Sequence, residues 1–196
     1  MFDRENLNRR FSLVIFTFVA IVFVIYRDGV LGPLLAPVTV FTAQATLALL
    51  HVLGIEAARF GTVISHPGGF AYDIHYRCTG VLPVAFLVVS ILAYPRPLPP
   101  RLVGVAIGVP LLIALNFVRL VHLFQVGVQH PAAYHLLHKV LWEGVIVAAV
   151  LGLWLSWRRW ARGRQPLVGM PSPVHERSGE ERMKSWPTLS RRSLQS

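Results

Sequence analysis

The sequence predicts an all-α integral membrane protein with about five transmembrane helices and a short extracytoplasmic β-hairpin-like segment before the third. Three observations lead there. Hydrophobic residues make up 54% of the chain and charged residues only 14%, against about 25% charged in soluble domains. Apolar runs approaching the roughly 20 residues needed to cross a bilayer recur along its length. Between them lie short polar, turn-prone or basic stretches, with tryptophans beside arginines at the last boundary. The mean hydropathy of +0.55 agrees. Lipid then supplies the apolar solvent, and residues 1–162 suffice for one membrane domain.

Phe11 to Tyr26 is apolar and follows Arg9-Arg10. It has the look of a signal-peptide core, but Arg27-Asp28-Gly29 offers no small-residue cleavage site, so the reading is an uncleaved membrane helix. Leu34 to Gly54 is the second candidate span. Pro37, Thr39, Thr42, Gln44, Thr46 and His51 soften it, which predicts a tilted, broken or inward-packed helix. From Ile55 to Arg77 the pattern changes. Thr62-Val63-Ile64 and Phe70 to Ile74 are β-like runs around His66-Pro67-Gly68-Gly69, a strong turn signal. A hairpin is expected there, outside the hydrocarbon, where backbone groups can be hydrated.

Thr79 to Tyr94 is a short third span with Pro83 near its start, and Pro95 to Arg101 reads as a tight basic loop. Leu102 to Phe124 is the fourth span, Gln125 to Tyr134 a loop, and His135 to Trp157 the fifth span. The run "WLSWRRWARGR" at its end combines an aromatic belt with a basic flank, which marks a cytoplasmic boundary. Counting back, the hairpin and Cys78 face outward. Five full spans would also put Arg4, Arg9 and Arg10 outside; either the positive-inside rule loses there or Leu34–Gly54 does not fully cross.

The net charge is +10, and +6 of it falls between Arg158 and Ser196, with nine Lys or Arg against three Glu. Residues 163–196 read as a basic, disordered cytoplasmic tail, rich in Pro, Ser and Arg. A basic flank to a membrane helix explains that charge more simply than nucleic-acid binding, so no nucleic-acid partner is expected.

Cys78 is the only cysteine. It excludes an internal disulfide and a multi-thiolate metal site, and leaves either a packed small side chain or a single functional thiol. Ionisable groups in membrane spans are functional candidates by default. Arg119, in "IALNFVRLVHLF" near the outer end of the fourth span, is the clearest; the bland alternative is an arginine snorkelling to the interface. Asn116 shares its face at i−3, free to fix the guanidinium or to satisfy backbone, and His122 continues the series. His135 and His138 open the fifth span, and Glu143 lies five residues past His138, poorly placed on a regular helix to be its partner.

Alternating helix direction puts Cys78, Arg119 and His138 near one membrane surface. Their chemistry is complementary. A thiolate attacks acyl carbons, and a helix N-terminus and a nearby cation both lower a thiol pKa. Histidine carries protons at neutral pH, and arginine holds an oxyanion.

At these residues the chain resembles the exosortase/archaeosortase family of membrane transpeptidases, and by its length the smaller members such as the exosortase H group. The segments that carry the resemblance are "GGFAYDIHYRCTG", "LNFVRLVHLF" and "YHLLHKVLWEG", in the family's order. The resemblance implies a Cys78–Arg119–His138 site, with Asn116, Thr79 and His135 as supporting residues. His138 is preferred to His135 because "HKVLW" matches the family's pattern. Thr79 stands where the family often has Ser or Asn. The implied activity is cleavage of C-terminal sorting signals (a motif, a transmembrane helix and a basic tail) on exported proteins. It would run through a cysteine thioester and transfer to a membrane-lipid or cell-surface polysaccharide acceptor. The implied location is the prokaryotic cytoplasmic membrane. No metal or cofactor is expected. Two other readings stand beside it: a redox or metal-binding protein using histidines such as His51, His122 and His138, and a non-enzymatic membrane scaffold.

Overall fold

The computed structural model describes residues 9, 12–20 and 31–163. Residues 12–20 are helical and form α1; the rest of the expected first span lies outside the described residues, as does the basic tail beyond Gly163. The remaining order is α2 (Leu31–Val52), β1 (Ala58–Phe60), β2 (Val63–Ser65), β3 (Ala71–Asp73), a 3₁₀ turn (Tyr76–Cys78), α3 (Val81–Ala93), α4 (Leu98–Gln129), α5 (Pro131–Leu136), a π-turn (Leu137–Leu141) and α6 (Trp142–Gly163). Three helical segments, Gly32–Val52, Leu98–Gln129 and Pro131–Gly163, are long and apolar enough to cross a membrane. The chain is an all-α, multi-pass membrane protein. The expected third span is α3, whose 13 residues reach only about 20 Å, short of the hydrocarbon thickness.

In α2 the threonines that soften the sequence bond inward. The hydroxyls of Thr39, Thr42 and Thr46 donate to the carbonyls of Leu35, Val38 and Thr42, each at 2.8 Å. That satisfies them while they are buried. The helix ends in a Schellman motif. Gly54, at φ +72°, donates to His51 O, Ile55 donates to Leu50 O at 2.9 Å, and the two apolar side chains pack in one cluster.

The expected hairpin is β2–β3, with Ile64 opposite Tyr72 and a turn closed by Gly69 N–H to His66 O. A third strand, β1, extends it to an antiparallel meander. Ile64 and Tyr72 turn inward onto α2 and α4, forming one core with Ala43, Leu50, Ile74, Leu120 and Phe124. A second core joins α3, α4 and α6 through Leu87, Ile91, Leu112, Val150 and Trp157.

Two expected loops are largely helix. Leu98 to Arg101 belongs to the first turn of α4, because Pro99 and Pro100, at N2 and N3, lack only amide hydrogens that have no intrahelical partner there anyway. At the other end α4 continues to Gln129, and only His130 separates it from α5. Gly127, which reads as a loop marker, is a packing site: a Cβ there would lie 1.9 Å from Phe70 Cζ.

Candidate active site

The segment bearing Cys78 is fixed by short-range bonds. In the 3₁₀ turn the Cys78 amide donates to His75 O at 2.8 Å, and the Thr79 hydroxyl donates to Tyr76 O at 2.7 Å. Gly80 follows at φ +77°, a left-handed conformation that reverses the chain into α3. Cys78 therefore does not open a helix, as the sequence suggests; it closes a 3₁₀ turn ahead of one. From α4, Asn116 donates Nδ2–H to the Cys78 carbonyl at 2.9 Å. Of its two expected roles, Asn116 takes the one toward backbone.

His138 reaches the thiol from the π-turn, 60 residues away in sequence, with Nε2 3.9 Å from Sγ. This separation is long for proton transfer, and such contacts commonly tighten when substrate binds. Arg119 borders the same cavity, about 500 Å³ in volume, together with Arg77, Lys139 and Glu143. Its residue exposure is 7%, and its Nε is buried without a hydrogen-bond partner. A snorkelling arginine would be exposed at its tip; burial inside the bundle excludes that alternative. The helix runs on past it to Gln129, so Arg119 is not near the end of its span.

The family model described as Transmembrane exosortase (Exosortase_EpsH) matches residues 7–157. The chain belongs to the transmembrane exosortase family. No curated protein and no solved structure is significantly similar to it. The matched stretch holds all the cavity residues named above.

In this exosortase the resting thiol is not pre-ionised. Burial pushes the Cys78 pKa up, and the Arg119 charge and the His75 hydrogen bond only partly oppose it, with Asp73 and Glu143 adding to the rise. The expected lowering by a helix N-terminus fails because Gly80, not Cys78, is the N-cap of α3. A protonated thiol needs a base at hand, and His138 is the side chain facing it.

The other sequence candidates have different placements. His135 is exposed and does not border the cavity. Thr79 caps the 3₁₀ turn. His122 Nδ1 accepts from Trp142 Nε1 at 3.1 Å, and His51 Nε2 donates to Ala57 O at 2.9 Å. Among the described residues no group of three His, Cys, Asp or Glu side chains is gathered to hold a metal. Two contributors escape sequence reasoning. Tyr134 stacks on His138, with centroids 5.7 Å apart and planes 12° apart; the i, i+4 spacing was the available signal. Glu143 borders the cavity despite a spacing that argues against it.

Proposed function

We propose that this exosortase is a membrane-embedded cysteine transpeptidase that cleaves C-terminal sorting signals from exported proteins. The observation that carries the reading is the 3.9 Å approach of Cys78 Sγ to His138 Nε2, beside a buried arginine with an unfilled donor. His138 takes the thiol proton. The sulfur attacks the carbonyl carbon at the cleavage point, and charge moves to the carbonyl oxygen, where Arg119 stabilises it. The tetrahedral species collapses, the C–N bond breaks, and His138 returns the proton to the departing amine. The passenger remains as a Cys78 thioester until an acceptor nucleophile, on a membrane lipid or a surface polysaccharide, takes it. The released piece is the membrane helix with its basic tail. A cavity lined by α3, α4, the π-turn and α6 suits a peptide entering from the membrane, and on this reading it opens toward the outer face of a prokaryotic cytoplasmic membrane, where exported substrates pass.

The test is processing of a passenger tagged with such a tail in cells carrying Cys78→Ala. Loss of processing with normal membrane insertion is expected; continued processing removes the thiol from the chemistry. Trapping of the passenger on wild-type protein as a hydroxylamine-sensitive adduct would identify the thioester directly.

A further inference from the structure

Glu143 is a carboxylate in a membrane-spanning segment, where an ionisable group is expensive unless it faces a partner or a hydrated cavity. On a regular α-helix it would point about 140° away from His138, toward a different surface. The π-turn changes that. Trp142 N–H donates to Leu137 O, a bond spanning five residues instead of four. The wider turn advances less around the axis per residue, so Glu143, one residue into α6, swings back toward the face that carries His138. Both border the cavity that also holds Cys78 and Arg119. The irregular turn costs helix geometry, and what accompanies it is one carboxylate and one imidazole on the wall of the same cavity.

We propose that Glu143 is a positioning residue of this site, the counter-charge that the π-turn brings to the Cys78–His138 pair to hold the imidazolium formed when His138 takes the thiol proton. The inference rests on the transpeptidase reading for its meaning, but its electrostatic core does not. The charges around the pair come from several elements. Arg77 lies in the turn carrying Cys78 and Arg119 on α4; Lys139 and His135 lie on the same helical segment as His138; Asp73 on β3 acts on the thiol. Cations dominate this set, and Glu143 is the anion bordering the cavity itself. Arg119 favours the thiolate but opposes an imidazolium; a carboxylate does the reverse. Together they favour the separated pair over either charge alone.

Because Cys78 is the sole cysteine, iodoacetamide alkylation of the full chain in lipid vesicles reads this site alone. Removing a negative charge eases every proton loss from the pair. Glu143→Gln is expected to move the alkylation midpoint to lower pH by roughly half a unit or more, while Glu143→Asp stays near wild type. Processing of a tailed passenger is expected to fall roughly tenfold or more in Glu143→Gln, although its thiol ionises more readily, and to recover in Glu143→Asp. Glu143→Ala reports the same charge loss should the glutamine variant not insert. An unmoved midpoint in the neutral variants overturns the proposal, and so does processing at or above the wild-type rate. Failure of the transpeptidase reading shows separately, as processing that survives Cys78→Ala.

Discussion

Asn116 on α4 holds the carbonyl of Cys78 at 2.9 Å, tying the thiol's backbone to the helix that also carries Arg119. One helix thus sets both the height of the nucleophile and the place of the cation. Gly80 makes the approach feasible: a Cβ there would come 3.0 Å from Asn116 Cγ, and its φ of +77° disfavours any other residue. Asn116→Leu leaves the carbonyl without that donor in a half-buried site, a loss of about 1–3 kcal/mol. The expected outcome is reduced thermal stability in detergent, with processing impaired while Cys78 still alkylates. Unchanged processing would mean that the bond does not position the thiol.

Gly80→Ala probes the same joint from the other side. Left-handed backbone costs a non-glycine residue about 1–2 kcal/mol, and the added methyl crowds Asn116. Processing should drop in step with stability, and Asn116→Ala should relieve the crowding. Circular-dichroism melts of the single and double variants give the coupling between the positions. Strict additivity would show that the two do not share one constraint.

Much of this arrangement was legible in the sequence. The turn at His66–Gly69 and the flanking β-like runs are found as β2 and β3, because Pro-Gly-Gly punctuation and short β-branched or aromatic runs are local signals. Alternating helix direction puts Cys78 and His138 near one membrane surface; the 3.9 Å approach of Sγ to Nε2 is a property of the fold. What could not be read depends on contacts between distant segments. "ARF" has no pattern that marks β1; pairing with β2 makes it a strand. Gly127 signals a loop unless one knows that the Phe70 ring lies against it. The π-turn has no composition of its own, so the ordinary helical period gives no sign that Glu143 and His138 line one cavity.

The Phe70 contact makes its own prediction. Phe70 also meets Phe124 and Tyr134 edge-on, with centroids at 5.8 and 5.5 Å, and Tyr134 stacks on His138. The sheet therefore supports the imidazole through an aromatic wall. Gly127→Ala forces the Phe70 ring away from α4, so thermal stability and processing should both fall. A smaller side chain in Phe70→Leu should restore part of the stability in the double variant. A Gly127→Ala protein with wild-type melting would show that the wall gives way without cost.

The two histidines separate geometry from composition. His138 faces the thiol and His135 is exposed away from the cavity. His138→Ala should abolish processing, and His135→Ala should leave it within about twofold, as surface substitutions usually do. The reverse pattern, measured by release of the tailed passenger, would reassign the base.

The Cys78 thiol offers the sharpest test of the electrostatics. Burial raises its pKa and Arg119 lowers it. With the raised value, the protonated form dominates at neutral pH, so alkylation should be slow at pH 7 and climb through the alkaline range. Arg119→Gln removes the charge that favours thiolate; the climb should move to still higher pH, and alkylation at any fixed pH below the plateau should slow. Arg119→Lys keeps a cation but loses the planar, multi-donor head, so its alkylation curve should stay near wild type while processing collapses. Those two variants together distinguish a charge that tunes sulfur from a donor array that holds the oxyanion. If Arg119→Lys processes normally, Arg119 acts through charge alone.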